Sequence, residues 1–209
     1  MSACRIVVVG GGPAGVAAAL ATKQQESAAE VVLISDERQE PYEKPPLSKA
    51  VLTGKALPED APIAGPKGVA AHGVRLALGS AVKAIDRGAR TVVTEAGVRI
   101  GYEALVLATG SINRVLPLFP PARSGIHYLR TEADARALKA RPHQSRSLLV
   151  IGGGLIGLEV AASAAELGVK TSVIEIALAR RLIERSIPVD AGELADPSKP
   201  LASLLKAKV

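Results

Sequence analysis

Val7-Val8-Val9-Gly10-Gly11-Gly12-Pro13-Ala14-Gly15 forms a glycine-rich turn between an apolar run and an apolar helix. The pattern returns downstream as Leu149-Val150-Ile151-Gly152-Gly153-Gly154-Leu155-Ile156-Gly157. One such loop is a weak signal, because glycine clusters also occur in simple tight turns. Two loops in a chain of 209 residues indicate a polypeptide that holds two dinucleotides.

The glycines of each loop have three separate roles. The first glycine allows the tight turn from strand to helix, the third lets the backbone approach a pyrophosphate, and the last lets the helix pack closely on the strand. In this order, the three pairs are Gly10 and Gly152, Gly12 and Gly154, and Gly15 and Gly157. A pyrophosphate bound there lies at a helix N-terminus, where unpaired N–H groups and the helix dipole attract anions.

An acidic residue follows each loop at the distance expected of a ligand for the adenosine ribose. Asp36 ends the apolar run after the first loop, and Glu175 ends the run after the second. Each lies about 20 residues beyond the last glycine of its loop. The alternative is that each glycine cluster is only a turn and each acid a solvated strand end, but this requires the same coincidence twice.

Composition narrows the class of protein. Hydrophobic residues make up 48% of the chain, which is enough for a sizeable core in one or two domains. No apolar run reaches the roughly 18 residues needed to span a membrane, and no leader is recognisable, so we expect a cytoplasmic protein. Cys4 is the only cysteine, which excludes an internal disulfide, and we expect it to be a small buried residue at the first strand. His72, His127 and His143 match no metal-ligand spacing, so we predict no metal site and ordinary loop or surface positions.

The net charge bears on the choice of partners. The formal charge is +6, and aromatic residues are only 2% of the chain. Because binding of single-stranded nucleic acid needs aromatic stacking platforms, no nucleic-acid partner is predicted. A solvated basic surface is the simplest interpretation, and an acidic protein partner stays open.

Hydrophobic periodicity predicts an α/β fold with two successive Rossmann-like dinucleotide-binding βαβ units, the second incomplete. Thr131 and Asp134 predict the N-cap of a helix that ends near Ala140, and the prolines of loop 41–49 argue against regular helix there. The remaining predicted elements are strands at 4–9, 30–35, 74–78, 81–85, 91–94, 98–100 and 104–107, helices at 13–23 and about 155–167, and a strand on each side of the last helix.

Five stretches of sequence occur together in this chain. They are the first glycine loop, Pro41-Tyr42-Glu43-Lys44-Pro45-Pro46-Leu47-Ser48-Lys49, Leu107-Ala108-Thr109-Gly110, Tyr128-Leu129-Arg130-Thr131, and the second loop continued by Leu158-Glu159. Together they resemble FAD-dependent pyridine-nucleotide oxidoreductases with two dinucleotide-binding domains, and within them the ferredoxin reductase branch of bacterial oxygenase systems. The proline-rich loop is the most specific stretch, because relatives that reduce disulfides carry a cysteine pair in this region. The resemblance implies an FAD-binding domain at 1–114, an NAD-binding domain at 115–187 and a divergent tail at 188–209.

The resemblance further implies that FAD binds the first domain. Asp36 would bind the adenosine ribose, backbone at Val82 would lie at the adenine end, and Arg130 would approach the phosphates. Lys49 would lie by the flavin, where a positive charge stabilises the anionic reduced form. The FAD-binding residues are then Gly10, Gly12, Pro13, Ala14, Gly15, Asp36, Glu37, Lys44, Pro45, Lys49, Val82, Ala108, Thr109, Gly110 and Arg130.

NADH is implied for the second domain. Glu175 would bind both ribose hydroxyls and repel a 2′-phosphate, although Arg180 and Arg181 leave NADPH open. Glu159 would reach the nicotinamide end, so that Lys49 and Glu159 are the two predicted catalytic residues. The NAD-binding residues are then Gly152, Gly154, Leu155, Ile156, Gly157, Glu159 and Glu175.

The chain also departs from the family. Lys44 stands where the branch usually has arginine, so a planar bidentate contact is lost. The family continues through the rest of the NAD domain, returns to complete the FAD domain and ends with an interface domain, whereas little is recognisable here beyond about Ser186.

The implied function is electron transfer from NADH through FAD to a ferredoxin-type iron–sulfur carrier, in an incomplete chain. Two alternatives stay open. One is an NADH oxidase or a nitrite-reductase-like flavoprotein, and the other is a non-catalytic nucleotide-binding remnant or one half of a split enzyme. An oligomer, or association with a separate second half, is therefore also expected as an alternative.

Overall fold

The structure is a computed structural model, and it describes residues 4–140 and 147–175. The chain forms two compact units, residues 1–145 and 146–209. The first unit extends beyond residue 114, where the sequence places the end of the first domain, because the helix Glu132–Lys139 packs on the proline-rich loop. The predictions for His143, for Arg180 and Arg181, and for the tail at 188–209 concern residues outside the described ranges.

The first unit contains a parallel sheet, an antiparallel meander and three α-helices among its described residues. In chain order they are β1 Arg5–Val9, α1 Pro13–Gln25, β2 Glu30–Ile34, α2 Ala50–Thr53, β3 Val74–Ala77, β4 Val82–Asp86, β5 Thr91–Thr94, β6 Arg99–Gly101, β7 Ala104–Leu107 and α3 Glu132–Lys139. The parallel sheet has the order β3-β2-β1-β7, and β4-β5-β6 form the meander. The predicted strands and helices of this unit are confirmed, with ends shifted by one or two residues.

The parallel sheet is covered on both faces, as its near-continuous apolar strands require. Alternate side chains point to opposite faces of a strand. Val8 and Leu33 therefore lie in a cluster with Val16 of α1, whereas Val7 and Val32 lie in a second cluster with residues of the meander. The carboxyl ends of the strands then carry the glycine loop and the following acids, which is the edge where open α/β sheets bind ligands.

The second unit repeats the βαβ arrangement of the first. Its described elements are β8 Ser147–Ile151, α4 Leu155–Glu166 and β9 Lys170–Ile174, and the two strands are parallel. Gly168, at a φ of 78°, ends the segment after α4 as the sequence predicts. Leu149 is 53% exposed and Ile151 39% exposed. One face of this two-stranded sheet is therefore largely uncovered by the described residues.

Three expectations from the sequence were wrong or incomplete. Pro45–Ser48 forms a 3-10 turn within the proline-rich loop, because proline is tolerated at the first positions of a helix, and α2 begins after Lys49. Cys4 is exposed and lies just before β1, and its thiol has a raised pKa through a hydrogen bond to Glu103. His127 is half-buried, and its Nε2 atom is buried with no hydrogen-bond partner among the described residues.

Candidate functional site

The first glycine loop is fixed by close backbone contacts. Gly10 has a φ of 119°, a conformation that favours glycine, and its N–H donates to the carbonyl of Ile34 at 2.8 Å. A Cβ atom at Gly10 would lie 2.2 Å from the carbonyl oxygen of Ala108. The turn after β1 therefore packs directly on the residue after β7, and no larger residue fits.

The second loop has the same geometry. Gly152 has a φ of 113°, and its N–H donates to the carbonyl of Ile174 at 2.8 Å. A Cβ atom at Gly157 would lie 2.0 Å from the carbonyl oxygen of Gly152, and one at Gly15 would lie 1.9 Å from that of Gly10. Both loops thus bring helix and strand backbones together as the fingerprint requires.

The third glycine of each loop borders open space. No atom lies within 4 Å of a Cβ built on Gly12 or on Gly154. These two glycines are the N-caps of α1 and α4, and neither helix start has a side-chain cap, whereas Thr131 and Asp134 cap α3. The first amides of α1 and α4 therefore lack the side-chain acceptor that α3 has. Each loop is a backbone cradle with room for an anion.

The residues that follow each cradle are exposed. Pro13 and Ala14 open α1, and Leu155 and Ile156 open α4, with Leu155 77% and Ile156 56% exposed. Apolar side chains at such positions are available to a bound ligand.

The two predicted ribose ligands are placed differently. The carboxylate of Glu175 accepts a hydrogen bond from the N–H of Gly153 at 2.5 Å. In the first unit the matching neighbour is Ser35, whose Oγ lies 2.8 Å from a Cβ built on Gly11. Asp36 is one residue further on and exposed, and its Oδ1 accepts from the N–H of Glu37 at 3.1 Å. Spacing in the sequence treats Asp36 and Glu175 as equivalent, but the strand register does not.

Glu37 and Lys44, two of the predicted cofactor residues, pair with each other. Lys44 Nζ lies 2.6 Å from Glu37 Oε1 and 5.0 Å from the centroid of the Tyr42 ring. The Tyr42 hydroxyl donates to Glu37 Oε2 and accepts from the N–H of Glu132 at 2.7 Å. Burial and the hydrogen bond to Glu37 raise the pKa of Tyr42 well above its ordinary value. No role for Tyr42 is predicted from the sequence, where its one signal is a tyrosine beside charged residues in the proline-rich loop.

The residues after β7 meet Arg130. Gly110 has a φ of 67°, and a Cβ there would lie 3.3 Å from Nη2 of Arg130. Ala108 contacts Gly10. Thr109, which lies between Ala108 and Gly110 in the sequence, is exposed. The structure therefore brings Gly10, Ala108, Gly110 and Arg130 to one edge of the sheet.

The remaining predicted residues occupy separate places. Lys49 is exposed and lies between the 3-10 turn begun by Pro45 and α2, and Val82 is the half-buried first residue of β4. Glu159 is half-buried on α4 of the second unit. The catalytic roles of Lys49 and Glu159 stay predictions.

A separate cavity of about 420 Å³ is lined by residues of β1, β2, β3 and β6 and by Val98. Three arginines line it, Arg5 and Arg75 from the first part of their strands and Arg99 from β6, together with Val32 and other apolar residues. Arg5 and Arg75 both form ion pairs with Glu30, the first residue of β2.

The part of the chain that the structure describes contains neither a candidate metal cluster nor a helix suited to span a membrane. No group of three His, Cys, Asp or Glu side chains there could hold a metal ion. Within residues 4–140 and 147–175, no helix combines the length and apolarity needed to cross a membrane.

Known reductases share this arrangement. The chain is 42% identical over 165 residues to the ferredoxin–NAD(+) reductase component of the anthranilate 1,2-dioxygenase system of Burkholderia cepacia, covering 78% of this chain and 40% of that protein. It is 38% identical over 145 residues to a rubredoxin–NAD(+) reductase of Pseudomonas putida, covering 69% of this chain and 38% of that one. The solved covalent complex of putidaredoxin reductase with putidaredoxin matches with a TM-score of 0.73 and 37% identity, over 81% of this chain and 42% of that chain.

The chain thus spans about 40% of the length of the curated relatives it matches. The sequence pattern of the pyridine nucleotide-disulphide oxidoreductase family matches residues 4–194 of this chain. The chain belongs to the pyridine nucleotide-disulphide oxidoreductase family.

Proposed function

We propose that this chain supplies the FAD-binding and NAD-binding units of an NADH-dependent flavoprotein reductase that delivers electrons to a ferredoxin-type iron–sulfur carrier. The repeated cradle carries this proposal. Both loops combine a close helix-to-strand contact, at Gly15 and at Gly157, with open space over the third glycine. Two such cradles in one chain suit two dinucleotides.

The residues present fit these cofactors. At Gly12 and Gly154 the space beside the backbone is open, and the starts of α1 and α4 lack a side-chain cap. We assign FAD to the first unit, since Arg130 lies beside Gly110 at the same edge and can pair with a phosphate. We assign NADH to the second unit, where Glu175 already contacts the loop through Gly153.

In this proposal the chain binds the two cofactors, orients them and sets the charge around the flavin. A bound flavin supplies the conversion of a two-electron hydride donor into single electrons. The N–H groups that follow Pro13 in the first turn of α1 hold the pyrophosphate, the Arg130 guanidinium neutralises a phosphate charge, and Asp36 accepts from ribose hydroxyls. Lys49 would place a positive charge near the flavin, and Glu159 would lie near the nicotinamide end of NADH.

The choice of an iron–sulfur carrier rests on the relatives. Those described above are named as reductases of ferredoxin, rubredoxin or putidaredoxin systems. The formal charge of +6 on this chain suits an acidic carrier, because complementary charge steers association.

The test begins with the flavin. The chain is titrated with FAD and the absorbance of the bound flavin is followed when NADH or NADPH is added without oxygen; a ferredoxin is then supplied and its reduction is recorded. We expect bound FAD that is bleached by NADH and re-oxidised by the ferredoxin. Binding of nucleotide without bleaching would leave a non-catalytic nucleotide-binding module, and re-oxidation by oxygen alone would favour an NADH oxidase.

A further inference from the structure

One buried hydroxyl joins three segments of the first unit. Tyr42 is only 5% exposed, and its phenol belongs to the proline-rich loop. It donates to Glu37, just beyond β2, and accepts from the N–H of Glu132, the first residue of α3, at 2.7 Å. The hydroxyl therefore fixes the start of α3 relative to the carboxyl edge of the sheet.

The start of α3 in turn carries Arg130. The carboxylate of Asp134 accepts from the N–H of Thr131 at 2.8 Å and from the N–H of Arg130 at 3.0 Å. Arg130 is thus tied by its backbone to the capped first turn of α3, and its Nη2 lies beside Gly110. Any shift of this turn moves the Arg130 guanidinium relative to the end of β7.

We infer that Tyr42 is a positioning residue that holds Arg130 beside Gly110, in place for the phosphates of FAD. This inference rests on the proposed function, because it takes FAD as the ligand of the first unit. Tyr42 contacts none of the glycines of the loop; it contacts Glu37 and Lys44, and the inference concerns its action on Arg130 through α3.

The chain offers a substitution that removes the hydroxyl and keeps the fold. Leu47, Val51 and Ala135 pack around the Tyr42 ring in one apolar cluster, and a phenylalanine ring retains these contacts. Lys44 still pairs with Glu37 in this variant, at 2.6 Å in the present structure. The substitution removes the hydrogen bond to Glu37 and takes away the acceptor of the Glu132 N–H, which is left unpaired inside the protein.

The test is a double-mutant cycle on FAD affinity with Tyr42→Phe and Arg130→Ala. We expect Tyr42→Phe to weaken FAD binding roughly five- to tenfold, the size of one net hydrogen bond, and to cause no further loss when Arg130 is already alanine. Tyr102→Phe is the matched control, because Tyr102 packs against the sheet–meander cluster, and FAD affinity should stay unchanged. An equal loss with and without Arg130, or no loss at all, would overturn the inference.

A second readout does not depend on the cofactor. Amide hydrogen exchange of Glu132 in the FAD-free chain should be faster in Tyr42→Phe and unchanged in Tyr102→Phe. Unchanged exchange at Glu132 overturns the positioning role, whatever the FAD titration gives. If the unaltered chain binds no FAD, the proposed function fails, and so does the assignment of Arg130 to the FAD phosphates. The exchange data still report whether Tyr42 fixes α3.

Discussion

The N–H of Gly153 donates a hydrogen bond to the carboxylate of Glu175 at 2.5 Å. The acid that follows β9 is thereby attached to the glycine loop itself. A ribose bound over this loop would meet the carboxylate, and a 2′-phosphate would bring a second anion against it. In the first unit Ser35, with no charge, faces the corresponding Gly11. The two units therefore differ in the charge they present next to the loop.

Glu175 should make the second unit select NADH over NADPH. Replacing it, as in Glu175→Ser, removes a charged hydrogen-bond acceptor, so we expect NADH affinity to fall by about 1.5–3 kcal/mol and the preference to disappear. Dissociation constants for both nucleotides, from the quenching of their fluorescence, measure this. Glu95→Ser, in the turn after β5, is the control and should change neither constant. Equal affinity for the two nucleotides in the unaltered chain would contradict the role of Glu175.

Two glycines of the first loop should separate stability from binding. In Gly15→Ala the new Cβ lies 1.9 Å from a backbone oxygen, so we expect the free energy of unfolding to fall by about 3 kcal/mol or more. Gly12 has a φ of −79°, and its Cβ would meet no atom within 4 Å, so Gly12→Ala should fold normally. That methyl group would occupy the proposed pyrophosphate space, however, and FAD affinity should drop. Chemical denaturation and FAD titration of both variants make the comparison.

Much of this arrangement could be predicted from the sequence because it depends on local backbone geometry. Gly10 and Gly152 must be glycine because their own turns require a positive φ. Thr131 and Asp134, which are three residues apart, together cap α3. Tyr42 could not be assigned, since its partner Glu132 is distant in the sequence and the contact depends on how α3 folds back. The equivalence of Ser35 with Glu175 was also missed, because it follows from strand register and not from spacing.

Stability should decrease at alkaline pH through Tyr42. Burial and the hydrogen bond to Glu37 raise its pKa in the folded chain, whereas an unfolded tyrosine titrates near about pH 10. Above about pH 10 the folded state therefore keeps the Tyr42 proton while the unfolded state loses it. The contribution of Tyr42 to the free energy of unfolding is complete below about pH 10 and declines as the pH rises further. One proton gives a slope of up to about 1.4 kcal/mol per pH unit. Denaturation of the unaltered chain and of Tyr42→Phe across this range tests it, and the same slope in both would exclude Tyr42 as its source.

Asp36 should contribute to adenine-dinucleotide binding in the first unit. It is exposed just beyond β2, and its replacement by alanine should weaken FAD binding by about 1.5–3 kcal/mol, as expected for a charged acceptor. Ser35→Ala is the neighbouring control. If Ser35→Ala costs the larger loss in calorimetric titration, then strand register, and not spacing, selects the ribose ligand in this unit.

The polypeptide of residues 1–209 by itself should retain FAD weakly. β7 is the edge of the parallel sheet, with Leu107 60% exposed and Ile112, just beyond it, 93% exposed. A flavin bound at this edge would keep one side in water and forgo burial worth about 25 cal/mol for each Å² of apolar surface. The same exposed side chains should favour self-association, which Ile112→Ser should reduce. Gel filtration with light scattering, together with the ratio of flavin to protein absorbance in the eluted peak, measures both effects. A monomer that elutes with one tightly held FAD would contradict this prediction.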